Sequence, residues 1–169
     1  MEMDEKLGRN VVYVGSFNPV HVGHIQTMKY GLERFEYLNM FVRYNEGVDL
    51  TDWETKRSFF EHISKDLGVE DRVRIFREES EEKGKSYGIE LFYDFIRKTS
   101  EVIGEKVDAF LFGEDYEAIR PQLEKEFPDI QFIIVERVGY SSSAIRDDLE
   151  GHKDWLPPYV YEALKEVRK

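Results

Sequence analysis

His21 and His24 stand three residues apart in NVVYVGSFNPVHVGH, residues 10–24 of the chain. On the first turn of a helix that spacing lets both imidazoles face one ligand. The apolar run Val11-Val12-Tyr13-Val14 before them reads as a buried strand, which Gly15 and Ser16 break. Asn18-Pro19 then forces an extended or turned backbone. Beyond Val20, residues Ile25, Met28, Leu32 and Phe35 fall at helical spacing, so a helix is predicted to begin near His21 or Val22. Strand, glycine turn and helix N-terminus in that order gather unpaired backbone N–H groups and the positive end of a helix dipole, which favour an anion, usually phosphate. The competing reading of an HxxH pair is a metal site. Such a site needs three or four gathered ligands; the chain has no cysteine, and its other histidines, His62 and His152, lie far along the sequence.

A second group that fits phosphate is Ser141-Ser142-Ser143 followed by Arg146. Hydroxyls, helix N–H groups and a guanidinium fork make a phosphate cradle. Taken alone, the same residues also read as an ordinary helix cap with a surface arginine. No GxSxG string and no nucleophile beside a base occurs anywhere in the chain.

The elements that must position these groups alternate. Residues 38–42 read as a second strand ending in Arg43, and Thr51-Asp52 with Glu54 reads as a helix start. That helix carries Phe60, Ile63 and Leu67 on one face and stops near Gly68. Residues 72–76 suggest a third strand, and 77–85, REESEEKGK, a solvated loop or mobile flap. Its end with Ser86, Gly84-Lys85-Ser86, is similar to the close of a P-loop, but Glu79 stands where that loop needs glycine and the acidic approach repels phosphate. A helix is predicted over 88–103 with Ile89, Phe92, Ile96 and Ile103 on one side, and a strand over 107–112. Residues 116–127 read as a helix interrupted at Pro121, and 131–135 as a fifth strand whose FIIV run suits a sheet covered on both faces. A short helix over 141–149 and a last one from Pro157-Pro158 complete the pattern. Such alternation predicts an α/β fold with a parallel sheet.

Composition bounds the function. The 169 residues suit one domain, 1–169, and 41% hydrophobic content suits a globular chain. The charged start MEMDEKLGRN has no signal-peptide core, no apolar run reaches membrane length, and with no cysteine the expected location is cytoplasmic. A net charge of −11 disfavours nucleic acid and anionic membranes as partners, so a phosphorylated ligand must be drawn by charge local to a site.

The string GSFNPVHVGH strongly resembles the first signature of the nucleotidylyltransferase superfamily, which includes nicotinamide and nicotinate mononucleotide adenylyltransferases and phosphopantetheine adenylyltransferase. Gly15, Phe17, Pro19, His21, Gly23 and His24 carry the match. Residues 140–146, YSSSAIR, resemble the second signature, ISSTxIR, with Tyr140 for isoleucine and Ser143 for threonine. The resemblance implies a Rossmann-like, doubly wound parallel five-stranded sheet with helices on both faces, the ligand lying beyond the carboxyl ends of the strands. It implies catalytic roles for His21, His24 and Arg146, and ATP contacts from Gly15, Ser16, Phe17, Gly23, Ser141, Ser142 and Ser143. Gly113 and Asp115 match the family's glycine-plus-acid loop near the nucleotide sugar and base, although Asp115 also reads as a helix cap. Asn18, Arg43, Trp53 and Arg57 fall in the region that contacts the acceptor in relatives; an arginine there suits a phosphate, and Trp53 suits stacking on a ring.

The reaction so implied is attack by an acceptor phosphate on the α-phosphorus of ATP with release of pyrophosphate. Mg²⁺ would bridge the triphosphate, held mostly by substrate oxygens and water, with no dedicated metal ligand in the chain. His21 argues against phosphopantetheine enzymes, which usually carry threonine there, and GSFNP looks more like the ATP-using enzymes than the GTFD of cytidylyltransferases. Nicotinamide or nicotinate mononucleotide is therefore the expected acceptor, the amide preferred, with Trp53 or Tyr44 near the discriminating contact. A phosphopantetheine adenylyltransferase, a cytidylyltransferase and a non-catalytic nucleotide sensor are the alternatives. A homo-oligomer is left open.

Overall fold

The computed structural model describes residues 7–79, 89–135 and 139–167, the side chains of Glu79 and Asp115 excepted. Five strands form one parallel sheet in the order β3-β2-β1-β4-β5: β1 is Gly8–Gly15, β2 Phe35–Tyr44, β3 Val73–Glu79, β4 Ala109–Phe112 and β5 Gln131–Ile134. This is the parallel α/β sheet that the alternating pattern predicts, in the Rossmann-like five-stranded form that the resemblance implies. The strand order reverses between β1 and β4, which opens a crevice at their carboxyl ends.

Alternate residues of β1 feed two cores. Val11 and Tyr13 pack with Met28 and Leu32 of α1 (Val22–Arg34), Phe59, Phe60 and Ile63 of α2 (Trp53–Asp66), and Val160 and Leu164 of the C-terminal helix, Pro158–Val167. Val12 and Val14 face the other side, where Phe92, Phe95 and Ile96 of α3 (Ile89–Ile103) and Leu123 of α4 (Arg120–Glu126) cover Phe41, Phe110, Phe112 and Phe132. α5, Ser142–Asp147, plugs Ile145 into the first core, and the C-terminal helix is α6.

Several boundaries move from expectation. β2 begins at Phe35 and runs through Arg43 to Tyr44, because it pairs with β1 on one side and β3 on the other along almost its whole length. β3 likewise continues to Glu79, pairing Arg77, Glu78 and Glu79 with Val42, Arg43 and Tyr44, so the first part of the expected 77–85 loop is strand. The rest of that loop, with Gly84-Lys85-Ser86, lies outside the described residues. The expected helix over 116–127 is a 3-10 turn, Glu114–Ile119, followed by α4 with Pro121 in its first turn, where a missing N–H costs nothing.

The amino ends of the strands are tied together by charge. Asp108 accepts from the N–H groups of Arg9 and Asn10, at 3.0 and 2.9 Å. Glu105 accepts from Asn10 Nδ2 at 2.9 Å and meets Arg9 and Arg74, both of whose guanidinium groups lie over the Tyr37 ring. The hydrogen bonds from Asn10 and Arg9 lower the Glu105 carboxyl from the ordinary 4.5 to about 2. A carboxylate so depressed stabilises the fold above its unfolded value and loses that contribution as pH falls towards 2. Glu105→Gln should therefore melt below the native chain at pH 7, and the gap in Tm should shrink between pH 4.5 and 2.

Candidate active site

The crevice at the switch point contains a cavity of about 240 Å³. Gly15, Ser16, Phe17 and Asn18 from the β1–α1 turn line it, with His24 and Thr27 from α1 and Arg43 from the end of β2. Phe112, Gly113 and Tyr116 close it after β4, Val135 after β5, and Ser142 and Arg146 from α5. A larger open groove lies at the opposite end of the sheet, between α3 and the α4–β5 turn. It takes up Arg97, paired with Asp94 and Glu126, and Glu105 of the strand-end network, and none of the two motifs' residues reaches it.

His21 is the N-cap of α1, and the two histidines cap the helix reciprocally. Nδ1 of His21 accepts from the Gly23 N–H at 3.1 Å, and Nδ1 of His24 accepts from the His21 N–H at 3.1 Å. In each neutral ring the proton therefore sits on Nε2. Two N–H groups at the helix start are thus used within the motif, and of the two rings it is His24 that lines the cavity. The rings stack at 3.8 Å. His24 forms part of the cavity wall, whereas His21 lies behind it, fully buried, with Tyr140 on its far side at 6.0 Å. Gly23 is glycine because a Cβ there would stand 2.9 Å from the His21 ring and 3.1 Å from Tyr140 Cβ.

Phe17 takes a left-handed backbone, φ 46°, which costs a non-glycine residue ~1 kcal/mol or more. Its buried ring meets Tyr13, His24 and Phe60 edge-on at 5.1, 4.8 and 5.2 Å, so aromatic packing holds the turn and backs His24. A Cβ on Gly15 would strike that ring at 3.0 Å.

The second motif docks on the first. The Ser142 hydroxyl donates to the Pro19 carbonyl at 2.9 Å, across 123 residues of chain, and Arg146 Nη1 donates to the Asn18 carbonyl at 2.6 Å. Ser141 caps α5 by accepting from the Ala144 N–H, and its hydroxyl meets that of Ser143 at 3.0 Å. Ser141 and Ser143 therefore stand outside the described cavity wall. Gly113 lines it, and Asp115 is outside the described side chains.

On the acceptor side the expected residues separate. Arg43 reaches the cavity. Trp53 packs on Tyr44 at 5.9 Å, with the Arg77 guanidinium over both rings, away from the described wall. Arg57 is exposed on the outer face of α2, 3.2 Å from Glu61 and 3.9 Å from Glu54. Asn18 does double duty, since its Oδ1 also accepts from the Leu50 N–H at 3.0 Å.

Sequence reasoning passed over Tyr116, stacked on Phe112 at 4.6 Å, and the buried pair of Lys56 and Asp49. Tyr116 had a signal, an aromatic three residues after the Phe112-Gly113 strand end; Lys56 had only its place four residues before Phe60 on the helix's apolar stripe. The described wall carries Arg43, Arg146 and His24 and no carboxylate, a cationic pocket in an acidic chain. Among the described residues no three His, Asp or Glu side chains gather to hold a metal ion, and no helix is long and apolar enough to cross a membrane.

The model of the cytidylyltransferase-like family matches residues 12–148. A curated relative, the phosphopantetheine adenylyltransferase of Clavibacter michiganensis subsp. michiganensis (strain NCPPB 382), is 23% identical over 164 residues, 94% of each chain. Among solved structures, Plasmodium falciparum nicotinic acid mononucleotide adenylyltransferase complexed with NaAD superposes with a TM-score of 0.61 at 15% identity, covering 94% of this chain and 95% of that one. The bifunctional NMN adenylyltransferase/ADP ribose pyrophosphatase of Francisella tularensis, complexed with AMP and a manganese ion, gives 0.67 at 18% identity, over 94% of this chain and 48% of its own. At these identities the structural likeness speaks for the fold. With the family match spanning both motifs and the sheet between them, the chain belongs to the cytidylyltransferase-like family and is a nucleotidyltransferase of the nucleotidylyltransferase superfamily.

Proposed function

We propose that the chain, acting as one domain, transfers AMP from ATP to a phosphorylated small-molecule acceptor, nicotinamide or nicotinate mononucleotide, releasing pyrophosphate. The observation that carries this is the joining of the two motifs: His24, Ser142 and Arg146 meet at one cationic cavity, tied through the carbonyls of Asn18 and Pro19. An oxygen of the acceptor phosphate attacks the α-phosphorus of ATP, the bond to the bridging oxygen breaks, and that oxygen leaves with pyrophosphate carrying the electron pair. The nucleophile is already an anion, so no general base is needed. The residues' work is positioning and charge stabilisation. His24 Nε2–H and the Arg146 guanidinium donate to the α- and β-phosphate oxygens, His21 holds His24 in place, and Gly113 lets the nucleotide approach the backbone after β4. The described wall offers donors and no carboxylate, so a divalent cation such as Mg²⁺ would come with the triphosphate and would supply charge neutralisation there. Arg43 serves the acceptor phosphate.

Mononucleotide acceptors are favoured by His21 in the first motif and by the acceptors named for the structural neighbours. Phosphopantetheine is the second reading, favoured by the curated relative matched along 94% of the chain. Measuring kcat/KM for both mononucleotides and phosphopantetheine, with ATP and with CTP, decides between them. A preference for a mononucleotide with ATP is the expected result; a preference for phosphopantetheine or for CTP overturns the acceptor or the donor.

A further inference from the structure

Lys56 lies on the face of α2 that also buries Phe59, Phe60 and Ile63, and is only 2% exposed. A lysine is almost never placed so without a task for its charge, because desolvating an ammonium costs several kcal/mol. Its Nζ donates to the carbonyl of Arg43 at 2.9 Å and forms an ion pair with Asp49, whose side chain is also buried. The second oxygen of Asp49 accepts from the Asn45 N–H at 2.6 Å, and the Val48 and Asp49 N–H groups return to the Asn45 carbonyl, closing a turn that Gly47 enters with φ 85°. One residue on, the Leu50 N–H is held by Asn18. A single ammonium thus ties the end of β2, the 45–50 turn and, through Asn18, the first motif.

We infer that Lys56 is a positioning residue for the acceptor side of the cavity, acting through Arg43: with Asp49 it fixes the backbone from which Arg43 reaches the cavity. This rests on the proposed transfer reaction. Breaking the pair leaves a buried carboxylate uncompensated, frees the Arg43 carbonyl, and lets the guanidinium drift from the acceptor phosphate while the ATP contacts at His24 and Arg146 remain.

The test is a double-mutant cycle of Lys56→Met and Arg43→Ala, read as acceptor KM, ATP KM and kcat, with amide hydrogen exchange of residues 45–50 measured alongside. Lys56→Met should raise the acceptor KM about 10-fold with ATP KM within about 2-fold, and add nothing further in the Arg43→Ala background. Lys56→Arg should recover most of the loss. Should Lys56→Met fold poorly, Lys56→Met/Asp49→Leu replaces the pair by apolar side chains; it should regain stability and keep the raised acceptor KM. Additive effects in the cycle, or a native acceptor KM in either folded variant, overturn the inference. Exchange of the 45–50 amides should speed at least 10-fold in Lys56→Met; unchanged exchange overturns the positioning whatever reaction the chain runs. Absence of turnover by the native chain with every acceptor overturns the proposed reaction instead.

Discussion

His24→Ala lowers kcat by about 10²-fold or more, a loss of about 2.7 kcal/mol of transition-state stabilisation. The expectation follows from tautomer and place. Nδ1 is occupied by the His21 N–H, so Nε2–H is a donor, and the ring belongs to the cavity wall. Alanine also removes a helix cap and so mixes two effects. His24→Asn separates them, because an amide oxygen can take over the bond from the His21 N–H while no donor remains at the Nε2 position. The asparagine variant should keep nearly the native Tm and still lose about 10²-fold in kcat. A near-native kcat in a folded His24→Asn chain would show that the histidine is there only to cap the helix.

Arg146→Ala should cost about as much or more, ~10²–10³-fold in kcat, since it removes the guanidinium proposed to donate to phosphate and the bond that ties α5 to Asn18. A lysine in its place supplies a charge but not the fork, so Arg146→Lys should recover only part of the rate. Steady-state kinetics at saturating ATP and acceptor reads both variants. If Arg146→Ala stays within about threefold of native kcat, the second motif is a structural clasp and no more.

These two residues belong to the part of the site that was legible in the chain itself. Strand, glycine turn, proline and two histidines form one continuous string, and its geometry is local: the caps of α1 are made by residues two and three apart. The Ser141 cap is local too, made with Ala144 three residues on, whereas the Arg146 contact with the Asn18 carbonyl spans 128 residues and only the resemblance of 140–146 to a signature pointed to it. Lys56 shows where local reading stops. Helical spacing puts position 56 on the apolar stripe with Phe60 and Ile63 and turns Arg57 off it towards Glu61, but a lysine on that stripe reads as a break in it until its buried partner is seen. The buried pair of Lys56 and Asp49 depends on a turn seven residues earlier, which neither period nor composition encodes. The β2 and β3 ends were missed because Glu36, Arg77 and Glu78 break the apolar pattern, while the pairing of Phe35, Tyr37, Arg77 and Glu78 with neighbouring strands keeps these segments in the sheet.

In the proposed reaction this cavity passes the adenylyl group of ATP onto an acceptor phosphate. The deciding experiment incubates the chain and Mg²⁺ with ATP labelled at the α-phosphorus and each candidate mononucleotide, then separates the products. Label is expected in a dinucleotide, with unlabelled pyrophosphate released in equal amount. Label that stays in ATP with every phosphorylated acceptor, while the nucleotide binds tightly, overturns the transfer reaction and leaves a nucleotide sensor.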